Sequence, residues 1–381
     1  MTGAAPLEVS LDVSAVPALP GGAGQYTLAL ARGLAAHPGV ALTLVARRVD
    51  AARWDEMGAA RLEASVPSSR PGRLAFEQVG LPALLRGAGV AVHHGPHYTM
   101  PARSPVPCAV TIHDCTFFDH PEWHLRSKAS FFRRAIRRAA LGAGALICVS
   151  EVTAERLRAN VPVRAPVVVA PHGVDHARFS PAEPSPGADD AALAVVGVPA
   201  DRPIVAFVGT LEPRKGVVPL VAAFDALAAA RPDVVLVLGG QTGWGMSETE
   251  RALAAARHAD RIVRTGYLPD GAVPALLRRA AVVAYPAFEE GFGLPALEAL
   301  ACGAPLVTTE GTAMAELAGG AALLVPPGGV APLTEALGLA LDQGRETERR
   351  RLGLAVAAER TWEASVAEHV RAYELARSAS L

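Results

Sequence analysis

Two series of short apolar runs rich in Val and Ile organise this chain. The first occupies residues 7–13, 41–46, 90–93, 108–112, 145–149 and 167–170, and the second 204–208, 234–238, 261–263, 281–284, 305–307 and 322–325. Longer segments with apolar positions at helical spacing separate them. A run that is apolar on both faces suits a strand of a parallel sheet covered by helices on each side. The alternation therefore predicts the α/β class, and two series predict two doubly wound, Rossmann-like domains. Residues 181–199 are rich in Pro and Gly and lack strong periodicity before Leu193. This places a linker at about 179–187, a first domain at 1–182 and a second at 183–360. In the remaining segment, 361–381, Trp362, Val366, Val370 and Tyr373 fall on one helical face. From the pattern alone, one of two readings of that helix is a cap on the second domain.

Composition narrows the picture. With 381 residues, 51% hydrophobic and 19% charged, the chain can bury two cores. Its 36 basic and 37 acidic residues give a net charge of −1, which argues against nucleic acid as a partner. Cys108, Cys115, Cys148 and Cys302 form no CxxC pair, and most sit in or beside apolar runs, so reduced buried thiols in a cytoplasmic protein are expected. There is no leading signal-peptide pattern and no apolar run of membrane-spanning length.

Ligands of open α/β sheets bind beyond the carboxyl ends of the strands, so the chemistry is sought in the loops that follow them. After the first strand comes PGGAGQ, containing Gly22 and Gly24, followed by a helical run from Tyr26. A glycine turn at a helix start presents free N–H groups to a phosphate, although GxGxxT is a poor dinucleotide fingerprint. His113 and Asp114 follow the 108–112 strand, and a His there can meet a substrate hydroxyl or rest on a local hydrogen bond. The neighbouring His93, His94, His97, His120 and His124 match no zinc spacing, so no metal site is expected. After residue 208 comes GTLEPRKG (209–216), whose Arg214 and Lys215 suit a diphosphate, one as a bidentate fork and one as a point charge. After residue 284 comes YPAFEEGFGLPALE (285–298). Its glycines allow close backbone approach, Pro295 suits a first helical turn, and Glu290 and Glu298 can accept from sugar hydroxyls.

These loops carry a resemblance. The chain is similar, over almost its whole length, to the family 4 retaining glycosyltransferases (glycosyl transferases group 1) of the GT-B fold. The most specific signature is a Glu, seven residues and a Glu, here Glu290 to Glu298 enclosing GFGLP; VGTLEPRKG (208–216), GYLPDGAVPALLRRA (266–280), CVSEVTAERL (148–157) and HGVDHARFSP (172–181) support it. The resemblance implies two Rossmann-like domains facing across a cleft, with the C-terminal helix crossing back to the first. It assigns Arg214 and Lys215 to the donor diphosphate in place of a metal, consistent with the lack of an Asp-x-Asp pair. Glu290 would bind the donor sugar near O3 and O4, and His113 would touch it at O6. The Gly291, Phe292, Gly293 and Leu294 backbone would contact sugar and phosphate, and Glu298 the ribose. Gly22, Gly24 and Gly209 would approach the diphosphate, and Tyr267 and Leu268, after Gly266, the base. Two departures are visible: His172 stands where similar enzymes carry Asn before Gly-Val-Asp, and Gln25 ends the first glycine loop.

The function expected is therefore metal-independent transfer of a hexose from a nucleoside-diphosphate sugar, which is a substrate rather than a cofactor, to a hydroxyl of a glycan, lipid-linked or small-molecule acceptor. The stretch HDCTFFDHPEWH (113–124) resembles a pattern of bacterial mannosyl-, rhamnosyl- and related transferases, which implies GDP-mannose or a related UDP or dTDP sugar as donor. A disaccharide-forming synthase, a nucleotide-sugar epimerase and a non-catalytic sugar-nucleotide-binding protein are the alternatives. The basic, aromatic run RSKASFFRRAIRR (126–138) has two readings, a solvated helix, which is favoured, and a peripheral contact with anionic lipid at the inner membrane face.

Overall fold

The computed structural model of the chain describes residues 5–59, 61–199, 201–269 and 271–379. It contains two compact units, residues 1–173 with 362–381 and residues 174–361. In the first, β1 (Leu7–Asp12), β2 (Val40–Arg47), β3 (Arg61–Val66), β4 (Val92–Gly95), β5 (Cys108–Ile112), β6 (Ala145–Cys148) and β7 (Val167–Val169) form one sheet in the order β3-β2-β1-β4-β5-β6-β7. In the second, β8 (Ile204–Val208), β9 (Val235–Gly239), β10 (Ile262–Gly266), β11 (Val282–Tyr285), β12 (Leu306–Thr309) and β13 (Ala322–Val325) run in the order β10-β9-β8-β11-β12-β13. Every strand pair is parallel. Strand order reverses between β1 and β4 in one sheet and between β8 and β11 in the other, and these reversals are where such sheets open a ligand crevice.

The central strands are fully buried, as at Ile204–Phe207 and throughout β9, which is why they read as unbroken apolar runs. Strand β3, RLEASV, was not anticipated: it lies at the sheet edge with Arg61 exposed and only Val66 buried, so neither face carries an apolar signal. The fourth strand sits two residues later than its apolar pattern suggested, at Val92–Gly95. The helix expected from Tyr26 begins at Gly22. Residues 179–187, read as a linker, lie inside the second unit, where Phe179 is buried. Just beyond them Asp189 receives both Nε and Nη2 of Arg278 at 2.8 and 2.7 Å.

The C-terminal helix Trp362–Ser378 belongs to the first unit rather than capping the second. Val366, Ala372, Tyr373 and Ala376 pack into the core around Leu30, Leu34 and Ile147. Gly33 is needed for this approach, because a Cβ there would stand 2.6 Å from a Val366 methyl. A buried chain of hydrogen bonds completes the attachment. Tyr373 Oη lies 2.8 Å from His94 Nδ1, His94 Nε2 lies 2.8 Å from Thr111 Oγ1, and Thr111 Oγ1 lies 2.8 Å from Tyr26 Oη. Tyr26 Oη in turn lies 2.8 Å from His369 Nε2, and His369 Nδ1 lies 2.7 Å from the Ser365 carbonyl oxygen. That carbonyl can only accept, so His369 carries its proton on Nδ1, and each preceding bond is then fixed in one direction. Tyr373 donates to His94, His94 to Thr111, Thr111 to Tyr26 and Tyr26 to His369. Every polar atom of the chain is used with both imidazoles neutral. Burial lowers the His369 pKa to about 4 and holds His94 well below its ordinary range.

Candidate active site

In the second unit the loops after β8 and β11 flank the strand-order reversal, and they bring Arg214, Lys215 and Glu290 together. Arg214 and Lys215 form a single 3-10 turn, Pro213–Lys215, which Gly216 ends in the left-handed region at φ +70°. A Cβ on Gly216 would collide with the Pro286 carbonyl, and Phe288 N–H donates to the Arg214 carbonyl at 2.9 Å, so the backbones lock the loops together. Gly216→Ala should therefore lower the stability of the second unit by roughly 2–4 kcal/mol, combining a left-handed non-glycine residue with a backbone clash. Urea unfolding followed at Trp244 measures this, and an unchanged midpoint would contradict the lock.

The side chains of Arg214, Lys215, Tyr285 and Glu290 bond to one another. Lys215 Nζ donates to Tyr285 Oη at 2.8 Å and makes an ion pair with Glu290 Oε2. Arg214 Nη1 lies 3.4 Å from the same carboxylate oxygen, and its Nε donates to Glu212 at 3.0 Å. Lys215 is buried, and desolvation together with Arg214 pulls its pKa below the ordinary lysine value while Glu290 opposes the shift. Burial pushes the Tyr285 phenol well up, and Glu290 adds to it. The phenol therefore stays protonated and serves Lys215 as a neutral acceptor. Tyr285 is itself held by Thr308 Oγ1, which donates to its carbonyl at 2.9 Å, and by its ring stacked on Phe207 at 5.6 Å. Sequence reasoning missed Tyr285 as part of this set, although its place at the carboxyl end of β11 is the criterion that selected the others.

Gly293 starts the helix Leu294–Ala301 from the left-handed region at φ +93°, with Met314 beneath it where a Cβ would stand 2.5 Å from Cγ. Phe292 is buried, and Gly291 and Phe292 are held by interactions of their own. Glu298 lies in this helix, and burial raises its carboxyl to about 7 against the pull of Arg178, so it is partly protonated at neutral pH. Gly209 follows β8 with φ +152°, its N–H donating to the Gly239 carbonyl at 2.9 Å, and Gly240 packs against its carbonyl. A Cβ on Gly240 would collide with that carbonyl, whereas one on Gly209 would meet only Phe207 and Tyr285 at 3.6 Å. Leu268 is buried against Gly239, whereas Tyr267 is 47% exposed. Asp270, in the stretch 266–280, lies outside the described residues.

In the first unit, Gly22 opens the helix Gly22–Ala36 with open space where a Cβ would stand. Gly24 is buried, and a Cβ on it would come within 2.7 Å of Pro20, so packing explains that glycine. Gln25 N–H donates to the Gly21 carbonyl at 2.8 Å. His113 Nε2 donates to the Pro96 carbonyl oxygen at 2.8 Å, which leaves Nδ1 as the lone-pair acceptor. Its ring stands edge-on to Tyr26 at 5.0 Å and to Tyr98 at 5.5 Å, and burial lowers its pKa, so it is neutral. Tyr98 is held at φ +64°, an uncommon backbone conformation for such a residue, in the loop that supplies Pro96. His172 packs against the rings of Tyr26 at 4.7 Å and Trp362 at 5.9 Å, an aromatic packing role that an Asn would not fill. All four cysteines are free and buried.

Comparison with known proteins agrees with this geometry. The family profile described as glycosyl transferases group 1 matches residues 189–355, and that of glycosyltransferase family 4 matches residues 20–178. The O-antigen chain mannosyltransferase B of Escherichia coli is 31% identical over 290 residues, 74% of each chain. The D-inositol 3-phosphate glycosyltransferase of Mycolicibacterium smegmatis is 36% identical over 192 residues, 45% of this chain and 44% of its own. Among solved structures, sucrose-phosphate synthase from Thermosynechococcus elongatus aligns over 97% of this chain and 98% of its own with a TM-score of 0.77 at 21% identity. An Anabaena protein, Alr3699/HepE, solved in complex with UDP-glucose, aligns over 96% of this chain and 99% of its own with a TM-score of 0.75 at 19% identity. The two structural likenesses establish the GT-B fold, and the mannosyltransferase match extends the agreement to sequence across both units. This chain is a glycosyltransferase of the group 1, family 4 class.

Proposed function

We propose that the protein transfers a hexose from a nucleoside-diphosphate sugar to an acceptor hydroxyl with retention of configuration and without a metal. The observation that carries this reading is the pairing of Arg214 and Lys215 with Glu290 at the strand-order reversal of the second unit. Two adjacent cations there match the charge of a diphosphate, and Glu290 offers a carboxylate to sugar hydroxyls. In the structure both cations pair with Glu290, and Arg214 pairs with Glu212 as well. Donor binding would exchange the Glu290 carboxylate for phosphate oxygens and free it for the sugar. His113 would accept from a sugar hydroxyl through Nδ1, because its Nε2 donates to the Pro96 carbonyl. Glu298 would hold the ribose, and the exposed Tyr267 would lie near the base.

In the step itself, the bond from sugar C1 to the phosphate oxygen breaks and the acceptor oxygen bonds to C1 on the same face. The departing diphosphate takes the acceptor proton. The protein contributes orientation and stabilisation of the charge that develops on the leaving group. The E. coli relative is a mannosyltransferase acting in O-antigen chains, which favours GDP-mannose as donor and a glycan as acceptor. The Anabaena structure keeps UDP-glucose in view.

Thermal melting in EDTA with GDP-mannose, UDP-glucose, a dTDP-deoxysugar and ADP-glucose tests the reading. A true donor at about 100 times its Kd should stabilise the fold by roughly 2.7 kcal/mol. Transfer in EDTA that yields the donor's anomeric configuration is expected. No shift with any donor, or activity that requires an added divalent ion, would overturn it.

A further inference from the structure

The helix Arg126–Gly142 in the first unit carries six cations, Arg126, Lys128, Arg133, Arg134, Arg137 and Arg138, and no acidic residue. Its inner face is ordinary core: Ala129, Phe132, Ile136, Ala139 and Ala140 are buried. The outer face is unusual. Phe131, Arg134, Arg138 and Leu141 are all exposed and follow one another at spacings of three, four and three, a single stripe along the helix. Phe131 is 40% and Leu141 49% exposed, and Leu125 at the helix start is 76% exposed. Arg133 is tied down by donating to the Phe117 carbonyl at 2.6 Å and lies near the Phe118 ring, as does Arg137. Among the described residues none of the six cations pairs with a carboxylate, whereas most other charged helices here carry ion pairs such as Arg351–Glu348 and Arg371–Glu368.

We infer that this face docks on an anionic lipid bilayer. The charge is local, since the whole chain is balanced at −1, so general solubility does not account for it. Two cations flanked by exposed Phe and Leu fit a bilayer surface, where phosphates meet the cations and the apolar tips enter between headgroups. A nucleic acid would satisfy the arginines and leave Phe131 and Leu141 in water. Among the described residues no helix is long and apolar enough to cross a membrane, so the association would be peripheral. The inference goes beyond the transfer reading and does not depend on it, since none of these side chains belongs to the proposed donor site.

Co-sedimentation of the full chain with vesicles tests it. Strong binding is expected to equal parts phosphatidylglycerol and phosphatidylcholine, with little to phosphatidylcholine alone, and it should weaken as salt is raised. R134Q/R138Q should bind the anionic vesicles about 25-fold more weakly, at about one kcal/mol per cation near the surface. R134K/R138K should keep the binding, and F131S/L141S should lose about ten-fold through the lost apolar insertion. Equal binding to neutral vesicles, or none to either, would overturn the proposal. So would an F131S/L141S variant that binds anionic vesicles as well as the wild type does, because the face would then be a general polyanion surface.

Discussion

Lys215→Ala is expected to lower kcat for sugar transfer about 10²–10³-fold, the scale of removing one preorganised group aimed at developing charge. The side chain is held in position at some cost. Its ammonium is buried, its pKa is pulled down by desolvation and Arg214, and it is held by Tyr285 and Glu290. Losing it should not unfold the second unit, because Glu290 keeps Arg214 within 3.4 Å and remains partly open to solvent. A stability loss of about 1–2 kcal/mol is expected, below the penalty for stranding a fully buried charge. Lys215→Arg should not restore activity. The slot between the phenol and the carboxylate accepts a point charge, and a planar fork would displace one or the other. Steady-state transfer with the donor found by melting, beside the melting curve of each variant, separates chemistry from folding. Turnover within a few-fold of wild type in Lys215→Ala would remove this residue from the mechanism.

Acidification from pH 7.5 to 5 is expected to destabilise the first unit by several kcal/mol. His93 and His369 are fully buried, and desolvation lowers each to about 4 from an ordinary value near 6.5. Unfolded imidazoles take up protons as the pH falls through 6.5, whereas the folded ones stay neutral until about pH 4. The stabilisation is therefore complete above pH 6.5 and is lost progressively below it, by about 2 kcal/mol per residue at pH 5. His94 and His172 shift in the same direction from the same cause. Glu77 works the other way: burial raises its carboxyl to about 7, so the folded state gains a proton first as the pH falls. That offsets about one imidazole. The urea midpoint followed at Trp54 should fall steadily between pH 7 and 5, and His369→Gln should reduce the slope by up to one proton. A midpoint that is flat or rises over this range would show that the imidazoles are not held neutral.

The contrast between the two units shows what a sequence can carry. Strands such as β8 and β9 are legible because burial on both faces demands an uninterrupted apolar run. The edge strand β3 is not, because its pairing on one side needs no apolar face. Arg214, Lys215, Glu290 and Glu298 are legible because glycine, proline and charge at short spacing describe a turn and its chemistry within a few residues. Tyr285 lies next to that motif but reads as the end of a strand until Lys215, 70 positions away, is placed against its hydroxyl. That a Cβ on Gly24 would meet Pro20 is equally hidden, because a sequence does not show what lies over a Cα.

The sequence by itself determined the α/β class and the two sheets, which follow from local periodicity, and its motifs carried the resemblance to the family. The tertiary structure decided which unit receives the C-terminal helix, because an amphipathic face states that it will be buried and not where. It also decided that the two cations are held by one carboxylate and a phenol. And it turned Tyr26, His94, Thr111, His369 and Tyr373, scattered across most of the chain, into one directed line of hydrogen bonds, since a buried polar atom finds its partner by position in space.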